Sequence, residues 1–127
     1  MIKINKDFHK VSKESMNAMH EEEIKILEEL LTTLDAPHFE KLLAHMQEHF
    51  ESEEKLMQES HYPSFRMHQA EHAKVLREAR YLEMQIRNAQ DSDSLLSYLE
   101  DEFSPWLDQH IKAMDVPLAD YLVSMGL

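Results

Sequence analysis

HFESEEKLMQESHYPSFRMHQAEH, residues 49–72, places two histidine-bearing segments on either side of the helix-breaking run Ser60-His61-Tyr62-Pro63. His49 and Glu53 are four residues apart, as are His68 and His72, so each pair occupies one face of a helix. Two residues on antiparallel helices lie level when they are equidistant from the turn between them. Glu53 with His68, and His49 with His72, both centre on 60.5, inside that break. The same test extends outward in both directions. His20 and His49 centre on 34.5, within Leu34-Asp35-Ala36-Pro37, and His72 and His110 centre on 91, at the start of Asp91-Ser92-Asp93-Ser94. Asp115 mirrors to residue 67 and then to 54, at nearly the depth of Glu53. Three hairpins therefore bring His20, His49, Glu53, His68, His72, His110 and Asp115 to one level.

The apolar positions recur by threes and fours on either side of these residues. Helix one is expected from a cap at Ser12 to Leu34, with Met16, His20, Ile24, Leu27, Leu31 and Leu34 facing inward. Helix two opens at Pro37, a residue suited to a first turn, and carries Phe39, Leu42, Met46, His49, Glu53 and Leu56. Ser64 precedes helix three, with Phe65, His68, His72, Val75, Ala79, Leu82 and Ile86 inward; Asp91-Ser92-Asp93-Ser94 is both turn and cap for helix four. That helix carries Leu96, Leu99, Phe103, Trp106, His110 and Ala113, with Pro105 bending it and Pro117 breaking the chain before Leu118 to Met125. The fold expected is all-α: an up-down-up-down antiparallel four-helix bundle with an N-terminal arm and a short C-terminal helix, one domain over 1–127. A single Gly among 127 residues agrees with a chain that is helical almost throughout.

A net charge of −12 argues against nucleic acid, since a polyanion repels another before contact. There is no cysteine, which removes thiolate metal sites and cysteine nucleophiles. No apolar stretch has the length of a membrane span, and the first residues lack a signal-peptide core. A cytoplasmic protein is the reading that follows.

Imidazoles serve as terminal ligands and carboxylates at one depth can bridge two metals. Two six-coordinate ions offer about twelve positions. Five imidazoles, Glu53 and Asp115 as bridges, and one solvent-derived oxo or hydroxo bridge fill all but one of these. His68, His72 and His110 complete one ion; the open position, where a small molecule binds, falls on the ion held by His20 and His49. Iron suits this donor set, whereas zinc is usually four-coordinate. No histidine has a Glu three residues before it, so the carboxylate-rich Glu-x-x-His design is absent.

Other charged residues take plainer readings. His9 falls in the arm, His38 opens helix two and His61 lies in a turn. His45 is a flank residue, because Met46 fits the inward stripe better. Glu54 neighbours Glu53 but does not share the face of His49, and Glu21-Glu22-Glu23 reads as a solvated face. The methionines read as core filler.

The motifs His49-Phe50-Glu51-Ser52-Glu53, His68-Gln69-Ala70-Glu71-His72 and Trp106-Leu107-Asp108-Gln109-His110-Ile111-Lys112-Ala113-Met114-Asp115, with His20 upstream, resemble those of hemerythrin. The long His72-to-His110 interval is similar to that of bacterial single-domain members, and Asn17 stands where an Asp often precedes the first ligand. This resemblance implies an oxo- or hydroxo-bridged pair of non-haem Fe ions that binds O₂ reversibly at the five-coordinate iron. It places Phe50, Trp106, Leu107 and Ile111 around the O₂ pocket. It implies an oxygen carrier, store or scavenger rather than an enzyme, with O₂ or other small diatomic or anionic ligands as partners. Oxygen, nitric oxide or peroxide sensing or reduction, and iron handling, are the alternatives.

Overall fold

The structure, a computed structural model, describes residues 10–89 and 91–127. His9 and most of the arm lie outside the described residues. Among the described residues every regular element is helical. Helix α1 spans Glu14–Thr33, α2 spans Ala36–Glu59 and α3 spans Phe65–Ala89. A continuous run then comprises α4 (Ser92–Tyr98), a π-helical turn Leu99–Phe103, α5 (Ser104–His110), a second π turn Ile111–Asp115, and α6 (Val116–Ser124). None of these helices is long and apolar enough to cross a membrane.

The start of α1 departs from the sequence expectation. Lys13, not Ser12, precedes the helix, and no side chain caps it. Ser12 is one residue too early for that role; its hydroxyl instead donates to Asp120 Oδ1 at 2.7 Å. Asn17 holds the incoming chain, donating to the Val11 carbonyl and accepting from the Val11 amide at 2.8 Å each. The other starts follow from local chemistry. Asp35 accepts from the His38 amide with Pro37 in the first turn of α2, and Asp91 accepts from the Ser94 amide at the start of α4. His61 closes the α2–α3 turn in the left-handed region, with φ 56°.

Pro117 does not break the chain. Val116 has helical dihedrals and α6 follows directly. Each of the two late prolines stands second in its α-segment, immediately after a π turn. A proline inside a regular helix lacks one amide donor and its ring collides with the carbonyl four residues back. The wider i→i+5 turn ahead of it accommodates both problems.

Those π turns also rewrite which face is buried. Leu95, Leu99, Phe103, Leu107, Ile111, Asp115 and Ala119 are all buried, a strict repeat of four. On a regular α-helix six steps of four drift by about 240°. Each π turn inserts one extra residue, worth about 100°, so two of them bring the drift down to about 40°. Ala113, assigned inward from the 3-4 pattern, is consequently exposed, and Leu96 is only partly buried beside a fully buried Leu95.

Consecutive elements pack on one another: α1 on α2, α2 on α3, and α3 on α4. The Ser92 hydroxyl donates to the Leu34 carbonyl, tying the end of α1 to the start of α4. Tyr121 donates to the Ser60 carbonyl at 2.6 Å, tying α6 to the end of α2. Buried apolar residues form two clusters. The larger includes Leu27, Leu30, Phe39, Met46, Phe50, Ile86, Leu99, Phe103 and Ile111; the smaller comprises Met16, Met57, Leu118, Ala119 and Leu122. Between them in chain position on α1, α2 and the final helical run, and in the first turns of α3, lies a layer of buried polar side chains.

Candidate metal centre

That layer contains all seven residues singled out by spacing, each 1–2 % exposed. Their donor atoms form two overlapping groups. Glu53, His68, His72, His110 and Asp115 make one, and His20, His49, Glu53 and Asp115 the other, with donors in each group within 4.8 Å of one another. Both carboxylates belong to both groups.

Helix geometry explains the convergence. The four-residue steps from His49 to Glu53 and from His68 to His72 place each pair on one face. His49 Nε2 meets Glu53 Oε2 at 2.6 Å, and Glu53 Oε1 lies 3.3 Å from Nε2 of both His68 and His72. Asp115 Oδ2 lies 3.1 Å from His20 Nε2, while its Oδ1 lies 3.0 Å from His68 Nε2 and 3.2 Å from His110 Nε2. Seven buried polar side chains thus aim at a common volume.

The cluster fits cations better than it fits itself. Glu53 Oε1, Asp115 Oδ1 and His68 Nε2 approach closely, yet none has a hydrogen-bond partner of acceptable geometry among the described residues. His72 Nε2 and His110 Nε2 face each other at 3.2 Å. On the outward side, His72 Nδ1 donates to Glu54 Oε2 at 3.2 Å and His110 Nδ1 donates to Glu71 Oε1 at 2.8 Å. A proton held at Nδ1 by a carboxylate leaves the Nε2 lone pair directed inward, the tautomer a metal-ligating histidine uses.

Charge in the metal-free cluster is shared between the two residue types. Burial pulls His68 down, but its contacts with Asp115 and Glu53 outweigh this and raise it to about 9. His49 is raised in the same way against its burial, by Glu53 and Glu23, and His110 by Asp115 and Glu71. Burial and the Asp115 charge push Glu53 upward, yet His49 and His68 hold it well below the usual carboxylate range. Asp115 is likewise lowered despite burial, by His110, His20 and His68.

The apolar surroundings are built from α2, α5 and the π turn that follows it. Phe50, 3 % exposed, stacks in parallel on His72 with centroids 3.9 Å apart. Trp106, partly buried, stacks on His110 at 4.6 Å and meets Phe50 edge-on. Leu107 and Ile111 are buried in the same apolar cluster. The methionines at 16, 46 and 57 are buried core residues.

Three carboxylates escaped the sequence reading. Glu54 and Glu71, each next to one member of the seven, hold the outer nitrogens of His72 and His110. Glu23 is 2 % exposed and its Oε2 lies 3.4 Å from His49 Nδ1, so it is not part of a solvated face. Its run of three glutamates concealed it: only the third turns inward, one helical turn from His20. His45 is also buried, at 8 %, rather than flanking, although it belongs to neither group of converging donors.

Over 129 aligned positions the chain is 32 % identical to a protein named Bacteriohemerythrin from Aquifex aeolicus (strain VF5), covering 96 % of this chain and 98 % of that one. No family model matches, and no solved structure matches.

Proposed function

The chain belongs to the hemerythrin-like family, and from that premise we propose that it binds O₂ reversibly at a non-haem pair of iron ions. The observation that carries this is the pair of overlapping donor groups sharing Glu53 and Asp115. Glu53 and Asp115, members of both donor groups, would be shared by the two ions. His68, His72 and His110 would complete the donors of one ion, and His20 and His49 would hold the other, at which O₂ would bind. When bound, the iron pair supplies the electrons that O₂ accepts and returns.

The chain's own residues do the rest. Glu54 and Glu71 keep His72 and His110 in the ligating tautomer. Phe50, Trp106, Leu107 and Ile111 wall the ligand side with apolar surface, excluding water and withholding a proton donor. A dry wall favours release of O₂ unchanged over its reduction, so the protein acts as an oxygen carrier, store or scavenger and not as an enzyme. The helices form an up-down-up-down antiparallel bundle, a single di-iron domain that works in the bacterial cytoplasm without nucleic acid or membrane.

The test is metal analysis followed by anaerobic reduction and O₂ titration, watched by absorption and resonance Raman spectroscopy. Two iron per chain and a spectrum that reverts under vacuum are expected. One iron or none in iron-replete preparations contradicts the donor assignment. Two iron with irreversible O₂ consumption points instead to a reducing or sensing role.

A further inference from the structure

Beside the seven-residue cluster, on the seam between α1 and α2, three more polar side chains descend from solvent toward the half held by His20 and His49. Glu22 is 64 % exposed, His45 8 % and Glu23 2 %. Glu22 Oε2 lies 3.6 Å from His45 Nε2. The His45 ring lies 6.2 Å from that of His49, centroid to centroid, and Glu23 Oε2 lies 3.4 Å from His49 Nδ1. These groups are poorly satisfied. Neither nitrogen of His45, nor Glu23 Oε1, nor His49 Nδ1 has a hydrogen-bond partner among the described residues.

Such an arrangement is costly for a purely structural seam. A buried polar atom left unmatched gives up its hydration with nothing in return, a larger loss when it is charged. The α3 side of the cluster avoids this cost, because Glu54 and Glu71 satisfy the outer nitrogens of His72 and His110. His45 is also not an eighth member of the converging set. What Glu22, His45 and Glu23 do provide is imidazole and carboxylate donors, the set that first-row divalent cations take, arranged from exposed to buried.

We propose that Glu22, His45 and Glu23 form a loading site for a divalent cation, which Glu22 and His45 capture first and Glu23 passes on toward His20 and His49. The inference rests on the reading that the seven converging residues hold metal ions. A net charge of −12 concentrates cations at the surface. The stepwise donors then replace the ion's hydration shell in stages. Only ligand exchange is involved, with no oxidation or reduction.

The experiment mixes metal-free full-length protein with Co²⁺ alone in a stopped-flow instrument. Loading is followed by the cobalt absorption bands and the final stoichiometry by native mass spectrometry. His45→Gln and Glu22→Gln are compared with the parent, with Glu40→Gln, an exposed position on α2, as control. His45→Gln is expected to slow loading about tenfold, equivalent to roughly 1.4 kcal/mol in barrier. Glu22→Gln should slow it by a smaller factor, Glu40→Gln should load like the parent, and all should reach the parent's final cobalt content. Parent-like rates in both variants overturn the proposal. Lower final content in a folded His45→Gln also overturns it, since His45 would then be a permanent ligand. Should His45→Gln fail to fold by circular dichroism, the exposed Glu22→Gln decides alone, and a parent-like rate there sinks the idea. A parent that takes up no cobalt overturns both this proposal and the metal reading beneath it, whereas a parent that loads at an unaltered rate in the variants leaves that reading standing.

Discussion

His110 Nε2 and Asp115 Oδ1 lie 3.2 Å apart, although five residues on a regular α-helix would point their side chains about 140° away from each other. The π turn Ile111–Asp115 lies between them and brings the two onto one face. Pro117, two residues later, disfavours the regular α-helical hydrogen bond that would unwind this turn. A backbone irregularity therefore places a donor shared by both halves of the cluster.

Deleting the exposed Lys112 removes the extra residue of the π turn, so the segment should return to regular α-helix with Asp115 four residues from His110 and still on its face. Circular dichroism should retain its helical signature and iron content should stay near two per chain. Inserting one alanine after Lys112 should instead rotate Asp115 by about 100°, lowering both iron content and melting temperature as Leu118 and Leu122 leave the smaller apolar cluster. Iron lost from the deletion variant, or two iron retained in the insertion variant, would show that the phase set by the π turn is not what positions Asp115.

Glu71→Gln preserves shape but removes the charge that holds the proton at His110 Nδ1. Loss of a partner behind a ligating histidine typically costs about 10–100-fold in metal affinity. Competition with a chelator should register a loss in that range with the fold's stability in the metal-free state little changed. Undiminished affinity would reduce Glu71 to an ordinary surface pair.

Leu107 tests the apolar wall. Leu107→Ala should admit water and small anions, so the oxygenated form decays faster and azide binds more readily. As plain core packing, the same change costs about 2–5 kcal/mol of stability and nothing else. Autoxidation half-life and melting temperature measured on one variant separate the two, and an unchanged half-life beside a lowered melting temperature would falsify the gating role.

The metal-free chain should have a pH dependence of its own. His68 is raised to about 9 in the fold from an ordinary 6.5, so its contribution is fully present below about 6.5 and disappears as pH rises through about 9. Glu53 and Asp115 are lowered, so theirs is present above the ordinary carboxylate range and is lost as pH falls toward their folded values. Denaturant titrations between pH 5 and 10 should show stability falling on the alkaline side. Metal-loaded protein, whose ligating histidines are already neutral, should lack that fall; the same alkaline loss in both forms would count against the assignment.

How much of this was legible beforehand depends on which physical rule governs each residue. Levels in antiparallel hairpins depend only on distance from a turn, and the turns announce themselves through Asp35-Ala36-Pro37, Tyr62-Pro63 and Asp91. His20, His49, Glu53, His68, His72 and His110 were therefore located by counting. The burial of Glu23 and His45 was not, because a charge run and an off-stripe histidine give no sign of what the facing helix offers. Glu54 and Glu71 each sit beside one of the seven, but which outer nitrogen they meet depends on rotation between helices, a quantity that a linear periodicity does not contain.

The sequence by itself determined that the chain is helical, where three of its turns fall, and which seven side chains share a level, since propensity, turn chemistry and spacing are local properties. The tertiary structure alone decided the face presented by the final helical run. Pro105 and Pro117 read locally as a bend and a break, yet with the core packed against them they sit behind π turns that keep the chain helical and its buried residues at intervals of four. A helix accepts an extra residue per turn when the alternative is to rotate Ile111, Asp115 and Ala119 out of a buried interface, and that comparison exists only once the partner helices are in place.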